Sequence, residues 1–201
     1  MPRTVDHEER RSTVLEAFVR VAAREGLASV SLRAVAAEAG ISLRLVQYYF
    51  ESKAGLMQAG LGRLERESNR RWERRIAELP QPPTARLSLR ALFEEALPTD
   101  ETSRDFHLLW MSYAILAQTD PEISDRPFLD GPNRIGQRIA AILAQGKGDG
   151  EIHPQVDVEA EAAILLGILN GFATAVLVGQ MTADVAMASF IHQLNRLSAL
   201  G

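Results

Sequence analysis

The chain has 201 residues, of which 46% are hydrophobic and 24% charged, with 14 Gly and 9 Pro. That composition supports a sizeable core and excludes a collagenous, mucin-like or wholly disordered protein. There is no cysteine, so disulfide scaffolds, Cys-ligated zinc or iron–sulfur sites and thiol nucleophiles are excluded too. The formal net charge of −4 is unevenly spread: residues 1–75 hold 14 basic and 10 acidic side chains, residues 76–201 hold 8 and 16. Such asymmetry points to two tasks in one chain.

The first eleven residues, Met1 to Arg11, are polar and contain no apolar stretch of the kind a signal peptide needs, so a cytoplasmic protein is expected. The helical pattern then takes over, with Arg11, Arg20 and Arg24 expected on the side opposite the apolar residues. Val14, Leu15, Phe18, Val21 and Ala22 form the apolar face of a first helix that Gly26 ends. Ser31 is a good N-cap for a short second helix, Leu32 to Ala39, stopped at Gly40; Ser42 caps a third, Leu43 to Phe50. Ser52 then opens a long helix to about Leu79, broken by Pro80, Pro82 and Pro83.

Two more helices are expected over Thr84–Leu97 and Glu101–Gln118, the second with the stripe Phe106, Leu109, Trp110, Tyr113 and Ile115. Residues 122–148 read as helical in their second half, with Pro127 and Gly131-Pro132 interrupting the first. After a glycine loop, Asp157 and Thr182 are the expected caps of two final helices ending near Val178 and Leu200. No strand pattern and no repeat appear, so the class is all-α with about nine helices. Ala162 to Gly179 is uncharged for 18 residues, near the lower limit for a membrane span. It nevertheless contains Asn170, Thr174 and three glycines, has acidic flanks and lacks a basic cluster, so no membrane is expected.

The most specific constellation is the short helix, glycine turn and short helix of Ser31 to Phe50. Ala36 is small enough for close approach, Gly40 turns the chain, and Ile41, Leu45 and Val46 lock the second helix on the first. Leu43, Arg44, Gln47 and Tyr48 are then the outward set. Arg pairs bidentately with guanine and Gln with adenine, so this surface suits a major groove about 12 Å wide. The plainer alternative is a helical hairpin with solvated Arg44 and Gln47. Ser31, Arg33, Ser42, Tyr49 and Lys53 tilt the choice towards DNA, because hydroxyls, cations and helix N-termini are the usual phosphate-positioning groups.

These residues resemble the tetracycline-repressor-like (TetR/AcrR) regulators. The resemblance is carried by Gly26, Ser31-Leu32-Arg33, Ala36-Ala37-Glu38-Ala39-Gly40-Ile41-Ser42, Val46-Gln47-Tyr48-Tyr49-Phe50 and Lys53. Gln47 stands where that family often has a phosphate-touching Tyr. Over the rest of the chain the likeness is one of length, helix count and the turn Gly150-Glu151-Ile152-His153-Pro154. It implies a DNA-binding domain at 1–55, a ligand-binding and dimerisation domain at 56–201, a homodimer, an operator of double-stranded DNA and a small-molecule inducer, with repression as the family's usual mode.

The helix Ala162 to Val178 argues for a dimer independently, since it is apolar all round and one small bundle covers only one of its faces. Gly167 and Gly171, four apart, permit close approach of a symmetry mate. Thr174, Val178, Phe190, Ile191 and Leu194 complete the expected interface. For a ligand pocket the candidates are Phe93, Phe106, His107, Trp110, Met111, Tyr113, Phe128 and Asn170, although aromatics at helical spacing are more often simply core. Trp110 and Asn170 are the preferred pair, because an amide in an apolar helix needs a partner. The four histidines have no metal-ligand spacing, and no phosphate loop or nucleophile motif is present, so neither cofactor, metal nor enzyme is expected. A helical small-molecule-binding dimer without specific DNA binding is the main alternative.

Overall fold

The computed structural model of the protein describes residues 3–124 and 130–199. Its helices are α1 (Arg3–Glu25), α2 (Leu32–Ala39), α3 (Leu43–Phe50), α4 (Lys53–Ala77), α5 (Ala85–Ala96), α6 (Glu101–Leu116), α7 (Pro121–Ser124), α8 (Asp130–Gly148), α9 (Val158–Leu177) and α10 (Ala183–Leu197). A 3₁₀ turn, Leu27–Ser29, joins α1 to α2. Among the described residues the only β-type pairing is the isolated bridge between Ile152 and Ser198.

The helix starts lie at the expected capping residues. Ser31, Ser42, Asp157 and Thr182 each accept a hydrogen bond from the backbone N–H three residues on, Ser52 Oγ does the same for Gly55 N, and Thr84, expected as the first helical residue, also proves to be a cap. Gly40 adopts φ 67°, the left-handed conformation that lets α2 end in a tight turn. The expected interruption at Gly131-Pro132 is not a break. Both residues lie in the first turn of α8, where proline forfeits no intrahelical hydrogen bond.

The chain divides into two compact units, Met1–Arg66 with Asp105–Phe128, and Glu67–Arg104 with Leu129–Gly201. The core of the first gathers Val14, Phe18 and Val21 of α1, Val35 and Ala36 of α2, Val46 and Phe50 of α3, Leu56, Met57 and Leu61 of α4, and Leu109 and Tyr113 of α6. Gly60 makes the close approach of α4 to α1 possible, since a Cβ there would overlap the Phe18 ring. Arg20 and Arg24 of α1 both bind the Glu38 carboxylate of α2, at 2.8 and 3.1 Å. Arg63 donates to the Ser12 carbonyl and to Glu16, fastening α4 to α1.

In the second unit α5, α8, α9 and α10 pack around Leu89, Phe93, Ile139, Leu143, Leu165, Leu169, Ala173, Phe190 and Leu194. Phe93 and Phe190 stack in parallel at 3.8 Å, and Phe172 meets Phe93 edge-on. The buried Glu95 carboxylate of α5 accepts from Ser68, Arg71 and Arg75, which tethers the last turns of α4. Arg138 of α8 lies 4.3 Å over the Trp72 ring and donates to Asn69.

Candidate nucleic-acid interface

The turn between α2 and α3 is built by local hydrogen bonds. Gly40 N donates to Ala37 O and Ile41 N to Ala36 O, while the Ser42 hydroxyl accepts from Leu45 N at 3.3 Å. Ala36 and Val46 are buried, so the two short helices approach closely at that point. Phe50 anchors the far end of α3. Glu51 follows with φ 59° and ψ −51°, and Ser52 N bonds back to Phe50 O, a γ-turn that reverses the chain into α4 within two residues.

With Val46 and Phe50 held inside, the opposite side of α3 presents Arg44, Gln47 and Tyr48 to solvent, Tyr48 at 72% exposure. Leu43 differs from the expectation that placed it in the outward set. It is half-buried and packs against the core of the first unit, because the first residue of so short a helix still overhangs the preceding turn. Tyr49 is also half-buried, its hydroxyl 2.9 Å from His7 Nδ1. Ser31, Arg33 and Ser42 are exposed. The two serine oxygens are committed to helix capping, and their O–H protons remain as donors. Lys53 donates to the Ala28 carbonyl at 3.0 Å, which uses one of its three N–H bonds and fixes the ammonium beside the 3₁₀ turn. His7 was not anticipated at this surface, and Arg11, expected on the side of α1 away from the apolar residues, instead lies over the Phe50 ring. The signal available was that the stripe of Val14 and Phe18 continues backward through Arg11 and His7 at helical spacing.

The aromatic and pocket candidates fall into two groups. Phe106, His107, Trp110, Met111 and Tyr113 belong to α6 within the first unit; Phe93 and Asn170 belong to the second, and Phe128 lies outside the described residues. Tyr113 and Phe93 are wholly buried core side chains rather than pocket walls, since each is enclosed by the apolar cluster of its own unit. Phe106, Trp110 and Met111 are half-buried. His107 is buried against Trp110, with ring centroids 5.9 Å apart, and burial holds its pKa below the ordinary imidazole value.

The expected dimer residues also separate. Gly167 and Gly171 of α9 and Val178, which caps its C-terminus, are exposed, a Cβ on either glycine would meet nothing, and Thr174 and Ile191 are half-buried. Phe190 and Leu194 are 3% and 4% exposed and lie inside the second unit, so their assignment to an outer face is corrected. The stripe that α10 leaves outward contains Val185, Ala188 and His192. Among the described residues no group of His, Asp and Glu is arranged to hold a metal ion.

Comparison with known proteins agrees with this geometry. Residues 14–59 match the family model of bacterial regulatory proteins, tetR family, and residues 83–198 match the C-terminal domain of BetI-type transcriptional repressors. The chain is 27% identical over 173 residues to the HTH-type transcriptional regulator PksA of Bacillus subtilis, covering 86% of this chain and 81% of that one. It is 29% identical over 171 residues to the regulator BetI of Paraburkholderia phytofirmans, covering 85% and 83%. A putative TetR-family regulator from Rhodococcus sp. has the same fold, with a TM-score of 0.82 over 95% of this chain and 99% of that one at 20% identity. A putative regulator from Saccharomonospora viridis, solved in complex with choline, superposes with a TM-score of 0.74 at 28% identity, covering 94% and 95%. These matches identify a regulator rather than an enzyme. Together with the exposed, capped α3, they show that the chain belongs to the tetR family of bacterial regulatory proteins, as a DNA-binding transcriptional repressor with a BetI-type C-terminal domain.

Proposed function

We propose that the protein is a ligand-responsive repressor, released from a pseudo-palindromic operator when a small molecule binds its C-terminal half. The observation that carries the DNA half is α3 itself: Val46 and Phe50 anchor it while Arg44, Gln47 and Tyr48 project. Arg44 reads guanine, Gln47 reads adenine, and Ser31, Arg33, Ser42, Tyr48, Tyr49 and Lys53 position the backbone. Regulators of this family bind operator DNA and act as dimers. In this chain the exposed face of α9 and α10, with Ile164, Gly167, Gly171, Val178 and Val185, is the surface we assign to the second subunit. It also accounts for α9 having enough length and hydropathy to cross a membrane, because a partner helix covers the same face. In functional terms residues 1–55 read DNA and residues 56–201 bind ligand and the second subunit.

For the ligand we infer a small organic cation. The Saccharomonospora relative was solved with choline, and aromatic faces attract quaternary ammonium groups. The Trp72 face is already taken by Arg138. Trp110 has beside it a buried histidine whose pKa is lowered by burial, which adds an aromatic ring and disfavours a competing charge. The deciding experiment is fluorescence anisotropy with duplexes tiled across the DNA flanking the protein's own gene, against a scrambled duplex, at two salt concentrations. Salt-steep binding that stays specific for one pseudo-palindrome supports the repressor, and release by choline supports the ligand class. Equal loss from every duplex as salt rises would leave a small-molecule-binding dimer without an operator.

A further inference from the structure

The first turns of α1 precede the stretch matched by the family model, which begins at residue 14, and they reach the recognition helix. His7 Nδ1 lies 2.9 Å from the hydroxyl of Tyr49, 42 residues away in sequence, with the two rings edge to face. One turn further along α1, the Arg11 guanidinium sits 5.4 Å over the Phe50 ring. The spacing of four places both side chains on one face of α1, the face that continues into buried Val14 and Phe18. Tyr48 also packs edge-on against Tyr49 at 5.4 Å, so the Tyr49 ring touches two aromatic neighbours besides its hydrogen bond.

Hydrogen-bond direction then decides what Tyr49 offers to DNA. A phosphate oxygen only accepts, and a phenol has one proton to give. If His7 Nδ1 took that proton, the hydroxyl would have nothing left to donate. If Nδ1 carries a hydrogen and donates to the phenol oxygen, the O–H is free and aimed away from α1. We propose that His7 is a positioning residue for operator binding, whose Nδ1–H donates to the Tyr49 oxygen and directs the phenol O–H at a backbone phosphate beside α3. This rests on α3 being the DNA-contacting helix.

The test is equilibrium binding of the full chain to its operator and to a scrambled duplex, for the unaltered protein and for His7→Ala, His7→Asn, Tyr49→Phe and the double variant His7→Ala with Tyr49→Phe. His7 is exposed, so melting temperatures stay unchanged. His7→Ala weakens operator binding about fivefold, the net worth of one ordinary hydrogen bond. His7→Asn, whose amide N–H replaces the ring Nδ1–H, restores most of that loss. Tyr49→Phe and the double variant bind alike, because His7 acts only through the Tyr49 hydroxyl. Unchanged affinity in His7→Ala, losses that multiply in the double variant, or failure of His7→Asn to rescue would each overturn the proposal while leaving the operator reading intact. An unaltered protein that does not distinguish operator from scrambled duplex would overturn both.

Discussion

Helices α3 and α9 pose opposite problems to the chain that contains them. The eight residues of α3 are capped by Ser42 and anchored by Val46 and Phe50, which leaves polar Arg44 and Gln47 facing water. Its outward chemistry is therefore complete in one subunit. The twenty residues of α9 bury Ala162, Leu165, Leu169 and Ala173 against their own unit and still expose Ile164 at 50%, with Gly167 and Gly171 open beyond it and the C-cap Val178 exposed at 60%. An apolar face left in water is unsatisfied until something covers it. A polar surface on a well-anchored helix points to a ligand that is polar, whereas an apolar surface on an equally well-anchored helix points to a second protein surface.

Two substitutions test that contrast on the α9 side, with the largest expected effects. Phe93→Ala removes the ring stacked on Phe190 and touched by Phe172, and should cost about 3–5 kcal/mol in urea unfolding. Gly167→Glu adds a carboxylate at an open position. Each protomer should stay folded, whereas two such charges meeting across a two-fold contact cost several kcal/mol, read as dissociation in sedimentation. A dimer that survives would move the interface off α9.

On the α3 side the effects are smaller and concern discrimination. Arg44→Ala should lose about 1–3 kcal/mol for the operator and little for a scrambled duplex, while Lys53→Ala weakens both alike and lowers the salt slope. Loss of equal size on both duplexes for Arg44→Ala would remove its base-reading role. Ser42→Ala should cost about 1 kcal/mol of thermal stability, because Leu45 N loses its capping acceptor.

The helix starts and the Gly40 turn were legible in the sequence because capping is a local matter, decided by one oxygen and the N–H three residues on. Side-chain direction on a helix with two apolar stripes was not. Phe190 and Leu194 share α10 with Val185 and Ala188, and only the packing on α5 and α9 shows that the first pair faces inward. The aromatics of α6 were read as part of the C-terminal half. Leu109 and Tyr113 join the core of the unit that holds the helix-turn-helix instead, a long-range association that no periodicity announces. Arg11 read as part of the solvated side with Arg20 and Arg24, and His7 as the polar start of the helix, because a charged side chain at the end of an apolar stripe looks the same in the sequence as one facing water.

The smallest effect concerns the ion pairs that tie α2 to α1. Hydrogen bonds from Arg20, then Arg24, hold the Glu38 carboxyl below its ordinary value. For a carboxylate depressed on folding, the stabilisation is present in full above the unfolded value and is lost as pH falls through the folded one. The pairs thus support the fold at neutral pH and fade in acid, below the ordinary glutamate range. The guanidiniums are about half exposed, so screening keeps the contribution modest and sensitive to salt. Melting curves of the unaltered protein and Glu38→Gln should therefore differ slightly at neutral pH in low salt, and converge both when salt is added and when the pH is lowered. A gap that persists in acid would mean that Glu38 stabilises α2 by packing along α1 rather than by charge.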